Sequence, residues 1–331
     1  MTLVRRRRHQ EALKLSLPRL AQFRHQTRLP APTLLNNPDS PGIENLEKLS
    51  VLGHGTGGTV YKVRHCRTHK IYALKTLRWD QSMTAFLHEA EILKRVSSEF
   101  ILRCHSVCDT GSNPDSDQCF VMEYMEGGSL HDLLRARARL PEYMISDLAS
   151  RVLQGLHYLH SMQIIHRDIK PSNLLINGNG DVKIADFGVS RGWPGVKDPY
   201  QDSCAGTCAY MSPERFDPER WGGDNANGFA GDVWALGVVV LECYMGRFPL
   251  IGLGQKPDWA TLMCAICFGE TPKVPETASR ELRDFAGRCL EKDWRRRATV
   301  VELLSHPFVS RGSDGGGGNT NVEMSSTVLP T

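Results

Sequence analysis

A run of closely spaced glycines, Gly53-His54-Gly55-Thr56-Gly57-Gly58-Thr59-Val60, lies between two short segments that both read as strands, residues 49–52 and 59–64. No other feature narrows the possible folds as much. A G-x-G-x-x-G that opened a helix would belong to a dinucleotide-binding βαβ unit, but Val60-Tyr61-Lys62-Val63 continues as a strand. The glycines are therefore predicted to close a hairpin, and without side chains the backbone there can approach phosphate oxygens. Taken alone the motif is weak, because an ordinary glycine-rich hairpin has the same spacing.

The pattern beyond it divides the chain. Residues 72–77 and 119–123 also read as strands, while 84–96 has helical spacing with Phe86, Ile92, Leu93 and Val96 apolar. After Gly127-Gly128 helices dominate: 129–137 with Ser129 as N-cap, 142–161, 232–245, 278–291 and 300–304. A β-rich first third and a helical remainder predict an α+β, bilobal catalytic unit over 46–309, with lobes at about 46–123 and 127–309. Residues 1–45 mix arginines with Pro18, Pro30, Pro32, Pro38 and Pro41 and read as a disordered basic tail. Residues 310–331, with four glycines at 315–318, read as a flexible end.

Charge and cysteine usage exclude several classes. Residues 1–45 carry eight Lys or Arg against three acids, and the other 32 basic and 34 acidic residues leave −2. The basic character belongs to the tail, which argues against a nucleic-acid groove across the main domain. Of ten cysteines, only Cys264 and Cys267 form a C-x-x-C, with no second pair nearby, so a zinc site is not expected and reduced thiols are. The longest apolar run, 233–241, is nine residues between Asp232 and Glu242, too short to span a bilayer.

Two further stretches carry chemistry. Lys75 closes the strand Tyr72-Ala73-Leu74-Lys75, and Glu89 falls on the helix that follows. A strand lysine held by a helical glutamate could grip phosphates; a surface ion pair, worth at most ~1 kcal/mol, is the rival reading. More decisive is His166-Arg167-Asp168-Ile169-Lys170-Pro171-Ser172-Asn173, followed by Asp186-Phe187-Gly188. One carboxylate can orient a hydroxyl and accept its proton, and further oxygen ligands can hold magnesium. Asp168, Asn173 and Asp186 provide those groups, and their occurrence after a glycine lid and a lysine is a strong joint signal.

On these residues the chain resembles a eukaryotic protein kinase over about 46–309, some four-fifths of its length. The resemblance implies ATP and Mg2+ as cofactors, with Gly53, Gly55 and Gly58 over the phosphates and Leu52 and His54 in the same lid. It implies Lys75 paired with Glu89, Asp168 as catalytic base assisted by Lys170, and Asn173 and Asp186 on the metal. It further implies Val60, Ala73 and Leu175 around the adenine, Glu123 and Met125 offering backbone hydrogen bonds, and Met122 gating the pocket. Glu214 of Ser212-Pro213-Glu214 is expected to pair with Arg297, and Asp232 to brace the catalytic loop. Without nucleotide, the Lys75–Glu89 pair is expected to stand apart, because activation depends on its placement.

Lys170 is the form typical of Ser/Thr kinases, and 206–216 resembles the loop of MAP kinase kinases, especially short plant members, as does 232–249. That family phosphorylates a threonine and a tyrosine in the activation loop of a MAP kinase, so dual specificity is implied by resemblance. Arg5-Arg6-Arg7-Arg8 before Leu13, Leu15 and Leu17 looks like a MAP kinase docking peptide, the leucines entering apolar pockets and the arginines meeting acidic groups. Nuclear import, membrane-surface contact, an organellar transit peptide and plain disorder are other readings of the same arginines. The implied partners are a MAP kinase substrate and an upstream MAP kinase kinase kinase, with cytoplasmic residence and a nuclear pool if the basic cluster acts in import.

The activation loop departs from that family. Of two expected phosphorylated hydroxyls, Ser203 matches the second, while the first position falls on Lys197 or Pro199, neither of which can be phosphorylated. Phosphate on Ser203 could pair with Arg167, and Asp198 and Asp202 carry part of the missing charge. A catalytically weak scaffold that docks MAP kinases and a Ser/Thr kinase of a neighbouring branch are the alternatives.

Overall fold

The computed structural model describes residues 41–55, 58–77, 83–109, 118–192, 208–222, 228–252 and 258–310. The first lobe is a five-stranded antiparallel sheet in the order β1-β2-β3-β5-β4. Its strands are β1 (Leu46–Gly55), β2 (Gly58–His65), β3 (Ile71–Leu77), β4 (Cys104–Asp109) and β5 (Gln118–Glu123), and helix α1 is Met83–Arg95. Alternation decides what each face carries. Tyr72 and Leu74 of β3 join Val63, Cys119 and Val121 in an apolar cluster on one face, with Ile43, Leu46, Tyr61 and Cys108 packed on it. Ala73 and Lys75 lie on the opposite face, where Ala73, Phe120 and Met122 share the main core with Phe86 and Ala90 of α1.

Helical spacing on α1 puts Glu89 between Phe86 and Leu93 on one face, so burial of those two apolar side chains carries the carboxylate inward with them. The glycine hairpin pairs Gly53 with Val60, His54 with Thr59 and Gly55 with Gly58. Gly58 has φ +136°, and a Cβ there would stand 1.9 Å from the Thr76 carbonyl oxygen, so only glycine fits.

The second lobe holds α2 (Leu130–Arg137), α3 (Glu142–Ser161), the short α4 (Pro213–Phe216) and α5 (Pro218–Trp221), α6 (Gly228–Met245), α7 (Trp259–Met263), α8 (Arg280–Cys289), α9 (Val300–Leu304) and α10 (Pro307–Ser310). Two small hairpins pair β6 (Ile164–Ile165) with β9 (Arg191–Gly192) and β7 (Leu174–Ile176) with β8 (Val182–Ile184). Ser129 caps α2 through a capping box with Asp132, as its sequence predicts. Among the described residues, α6 is the one helix long and apolar enough by length and composition to cross a membrane. It is buried on nearly every side, with α3 and α8 against it, which is the position of a core helix. A Cβ on Gly237 of α6 would meet the Cys289 Cβ at 2.6 Å, so glycine lets α8 come close.

The bilobal α+β architecture agrees with the sequence pattern, and several elements refine it. β4 was absent from that pattern: Cys104-His105-Ser106-Val107-Cys108-Asp109 has no clear alternation, and a bulge between Cys104 and Ser106 interrupts its pairing. α6 begins a turn earlier than residue 232, and α8 is shorter than the predicted 278–291.

Candidate active site

At the junction of the lobes, the Lys75 Nζ donates to Glu89 Oε1 at 2.7 Å and to Asp186 Oδ1 at 2.9 Å. The Lys75–Glu89 pair is therefore closed, contrary to the expectation that it stands apart without nucleotide. The physical reason is packing: α1 is already seated on the sheet through Phe86 and Phe120, whose ring centroids are 5.1 Å apart. Burial works against the charge on Lys75, but the Asp186 and Glu89 carboxylates outweigh it and its pKa is raised. The Lys75 charge holds the Asp186 carboxyl at about 2. Burial pushes Glu89 upward while Lys75 pulls the other way.

Asp168 lies in the loop after β6, and its carboxylate is held from two sides. Lys170 Nζ is 2.7 Å from Asp168 Oδ2, and the Asn173 amide Nδ2 donates to the same oxygen and to the Asp168 carbonyl, each at 2.9 Å. Asp232, buried on α6, braces this loop by accepting from the His166 amide at 2.9 Å, the Arg167 amide at 2.8 Å and His160 Nε2 at 3.0 Å. Burial alone would raise the Asp232 pKa, but the His160 bond and the His166 contacts outweigh it and the carboxyl stays below its ordinary range. The bond to its amide also supports a backbone at Arg167 that few residues adopt, φ +69°; Asp186 has φ +67° as well.

His166, in the motif with Asp168, and His88, which no motif contains, extend the network. His166 Nε2 donates to the Ala185 carbonyl at 3.1 Å, directly before Asp186, and His166 Nδ1 accepts from the Asp168 amide at 3.3 Å. Ser190 donates from its hydroxyl to the His166 carbonyl at 3.0 Å, and its own carbonyl accepts from His88 Nε2 on α1 at 2.8 Å. A carbonyl only accepts, so Nε2 carries the proton in both histidines. One chain of bonds thus joins α1, beside Glu89, to the catalytic loop. For His88 the one sequence signal is its position directly before Glu89.

The nucleotide-binding candidates lie on β1, β2, β3, β5, β7 and the segment after β5. Ala73 pairs with Met122 across β3 and β5, Val60 pairs with Lys75 across β2 and β3, and Leu175 bridges to Ser129. Leu52 is exposed on the lid beside Gly53 and His54, with His54 Nδ1 3.1 Å from Thr59 Oγ1. The Glu123 amide donates to the Arg103 carbonyl, and its carboxylate is gripped by Lys183 Nζ at 2.7 and 2.8 Å, tying the strand that enters the hinge to β8 of the second lobe. Met125 is buried, and its carbonyl accepts from Gly128. Glu214 and Arg297 meet as a buried fork, Nη1 to Oε1 at 2.7 Å and Nη2 to Oε2 at 3.0 Å. Ser203, Asp198, Asp202 and the tail residues Arg5 to Arg8, Leu13, Leu15 and Leu17 lie outside the described residues.

Among the described residues, no three His, Cys, Asp or Glu groups gather into a metal cage. Asp186 and Asn173 instead provide one carboxylate and one amide oxygen, the sparse protein donor set of a magnesium ion that is held chiefly by substrate phosphates. Backbone adjacency keeps the two donors together, since the Ala185 amide donates to the Asn173 carbonyl at 2.9 Å. The residues present therefore fit that ion.

A lysine between two carboxylates under a glycine hairpin, beside a separately braced aspartate, is suited to moving a phosphoryl group from a nucleotide to a hydroxyl. Residues 46–309 match the protein kinase domain family, which defines the class. Over 313 residues the chain is 58% identical to mitogen-activated protein kinase kinase 10 of Arabidopsis thaliana, spanning 93% of this chain and 99% of the relative. Mitogen-activated protein kinase kinases 9 and 7 of the same plant are 46% and 45% identical, each again over 93% of this chain and 99% of the relative. The chain belongs to the mitogen-activated protein kinase kinases.

Proposed function

We propose that this kinase uses ATP to phosphorylate the threonine and the tyrosine in the activation loop of a MAP kinase, and that an upstream MAP kinase kinase kinase activates it. The observation that carries the reading is the assembled bridge of Lys75 to Glu89 and Asp186, beside an Asp168 held by Lys170 and Asn173. Asp168 accepts the proton of the incoming hydroxyl. Lys170, 2.7 Å from that carboxylate, adds positive charge where the phosphoryl group passes. Lys75 orients the phosphates of ATP, and Glu89 keeps the lysine in place. Asp186 and Asn173 would hold magnesium, whose charge offsets that of the phosphates.

Names of the relatives support the choice of substrate, and the arginine and leucine tail supports its capture through a docking peptide. Micromolar docking, about −8 kcal/mol, would suffice, because tethering raises the local substrate concentration towards about millimolar. Activation is assigned to Ser203, whose phosphate would pair with Arg167. Residence in the cytoplasm, with nuclear entry through the basic cluster, belongs to the same reading. The test is to incubate the protein with ATP, magnesium and a kinase-dead MAP kinase, alongside Asp168→Asn. Phosphate on both target residues, lost in the variant, supports the reading; binding without phosphate would identify a scaffold, and phosphate on serine or threonine alone would remove dual specificity. Ser203→Ala separates the activation claim: undiminished stimulation by an upstream kinase would sink it.

A further inference from the structure

The sheet face turned away from Lys75 carries a second pair of reactive groups. Cys108 on β4 and Cys119 on β5 stand directly opposite one another, and the flanking pairs Val107–Phe120 and Asp109–Gln118 hold that register. Directly opposed residues of an antiparallel ladder have Cα atoms about 4.5–5.5 Å apart, within the roughly 4.4–6.8 Å that a disulfide spans. Both side chains belong to the outer cluster of Val63, Tyr72, Leu74 and Val121, so they share a face. Neither cysteine is in a disulfide; Cys119 is fully buried and Cys108 partly open to solvent.

Their surroundings set them apart from the other thiols. A side-chain bond from Cys119, helped by another from Ser106, holds the Cys108 thiol at about 7 against burial and the nearby Glu44 charge. On the same strand, burial and the Glu89 charge push Cys104 up to about 12. The thiolate is the attacking species in thiol oxidation, so Cys108 is primed where Cys104 is not. Ile43 and Leu46 pack on the cluster, and the Ser106 hydroxyl donates to the Pro41 carbonyl at 3.1 Å, so a small oxidant is favoured over a bulky one.

We propose that Cys108 and Cys119 are a modification site for small hydroperoxides, closing reversibly to a disulfide. The Cys108 thiolate attacks one peroxide oxygen, the O–O bond breaks, and the other oxygen leaves as water, or as an alcohol from an alkyl hydroperoxide, after taking a proton. The Cys119 sulfur then attacks the resulting sulfenic sulfur, and hydroxide leaves with the Cys119 proton as water. Two thiols and one hydrogen peroxide thus give one disulfide and two waters, the sulfurs losing two electrons and the peroxide gaining them. A dithiol reductant reverses the step, which suits a reducing compartment where lasting disulfides are rare. Closure ties edge strand β4 to β5, whose Phe120 is paired with Lys75 of β3, so the modification reaches the strand beside the active site. The site stands independently of the assigned kinase substrate.

The full-length reduced protein is treated with one equivalent of hydrogen peroxide, alkylated, digested and mapped by mass spectrometry. The expected first product has lost two hydrogens and links the peptide holding Cys108 to that holding Cys119, and dithiothreitol restores both thiols. In Cys119→Ser, Cys108 is expected to accumulate as a sulfenic acid trapped by dimedone, and in Cys108→Ser neither product forms. The wild-type arm needs no variant to fold. Oxidation appearing first at the exposed Cys66 or Cys264 while Cys108 and Cys119 remain thiols would overturn the proposal, as would a wild-type Cys108 sulfenic acid that never links to Cys119.

Discussion

Two ion pairs, one in each lobe, join a basic side chain to a glutamate and serve different ends. In the second lobe Arg297 is wholly enclosed: it holds both Glu214 oxygens and also donates to the carbonyls of Ala230, Glu291 and Lys292. Every donor is committed, and the pair fixes the segment after the activation loop to the lobe. At the lobe junction Lys75 is shared between buried Glu89 and an Asp186 side chain that is 46% exposed. One of its partners faces the cleft, so a phosphate can take its place without uncovering the core. Saturated buried charge gives a rigid clamp, and charge shared at an open edge can be re-partnered by a ligand.

The largest expected effect tests the chemistry side of that contrast. Asp168→Asn removes the proton acceptor and should lower phosphorylation about 10²–10⁴-fold, with little change in melting temperature. A large loss of stability instead would mean that Asp168 belongs to the clamp class. Next comes the clamp itself: Arg297→Met leaves Glu214 buried without its partner and should cost about 3–5 kcal/mol in urea denaturation. Lys75→Met should abolish activity yet destabilise less than Arg297→Met in the same denaturation series. Burial already raises the Glu89 pKa, so that carboxyl can take a proton rather than stay charged and alone. Equal costs would erase the distinction.

A smaller effect sits between the two regions. His88→Leu strips the Ser190 carbonyl of its donor, a penalty of about 1–3 kcal/mol. If it is borne by the position of α1, turnover should fall by about tenfold with ATP affinity less affected, and His88→Gln should recover part of the loss. A variant that melts earlier but turns over normally would make His88 a packing residue only. The smallest change is expected at Arg64→Ala: its bond to Glu47 is exposed on both sides and should be worth no more than ~1 kcal/mol.

Most of the fold was legible because its signals are local. Strands β2, β3 and β5 are short apolar-rich runs bounded by turn residues, α3 and α9 fall where their periodicity places them, and Ser129 caps α2 through its own side chain. Elements whose stability comes from neighbours were not legible: β4 has a poor strand pattern and exists through its pairing with β5. The site divides along the same line. Residues that sit close along the chain, such as Asp168, Lys170 and Asn173, were found as a motif. The Glu123–Lys183 grip and the His88–Ser190 bond join positions 60 and 102 residues apart, and no spacing rule predicts them.

The sequence by itself determined which groups are offered to a phosphate: a glycine hairpin, a lysine, a glutamate, an aspartate, an asparagine and a second aspartate in order. Tertiary structure alone decided that Lys75 meets both Glu89 and Asp186, that Asp232 holds the catalytic loop in a strained backbone, and that Cys108 faces Cys119. Chain-local propensity sets the hydrogen bonds a residue makes with near neighbours. Partners far along the chain are chosen only when burial of the shared apolar faces brings their strands and helices together.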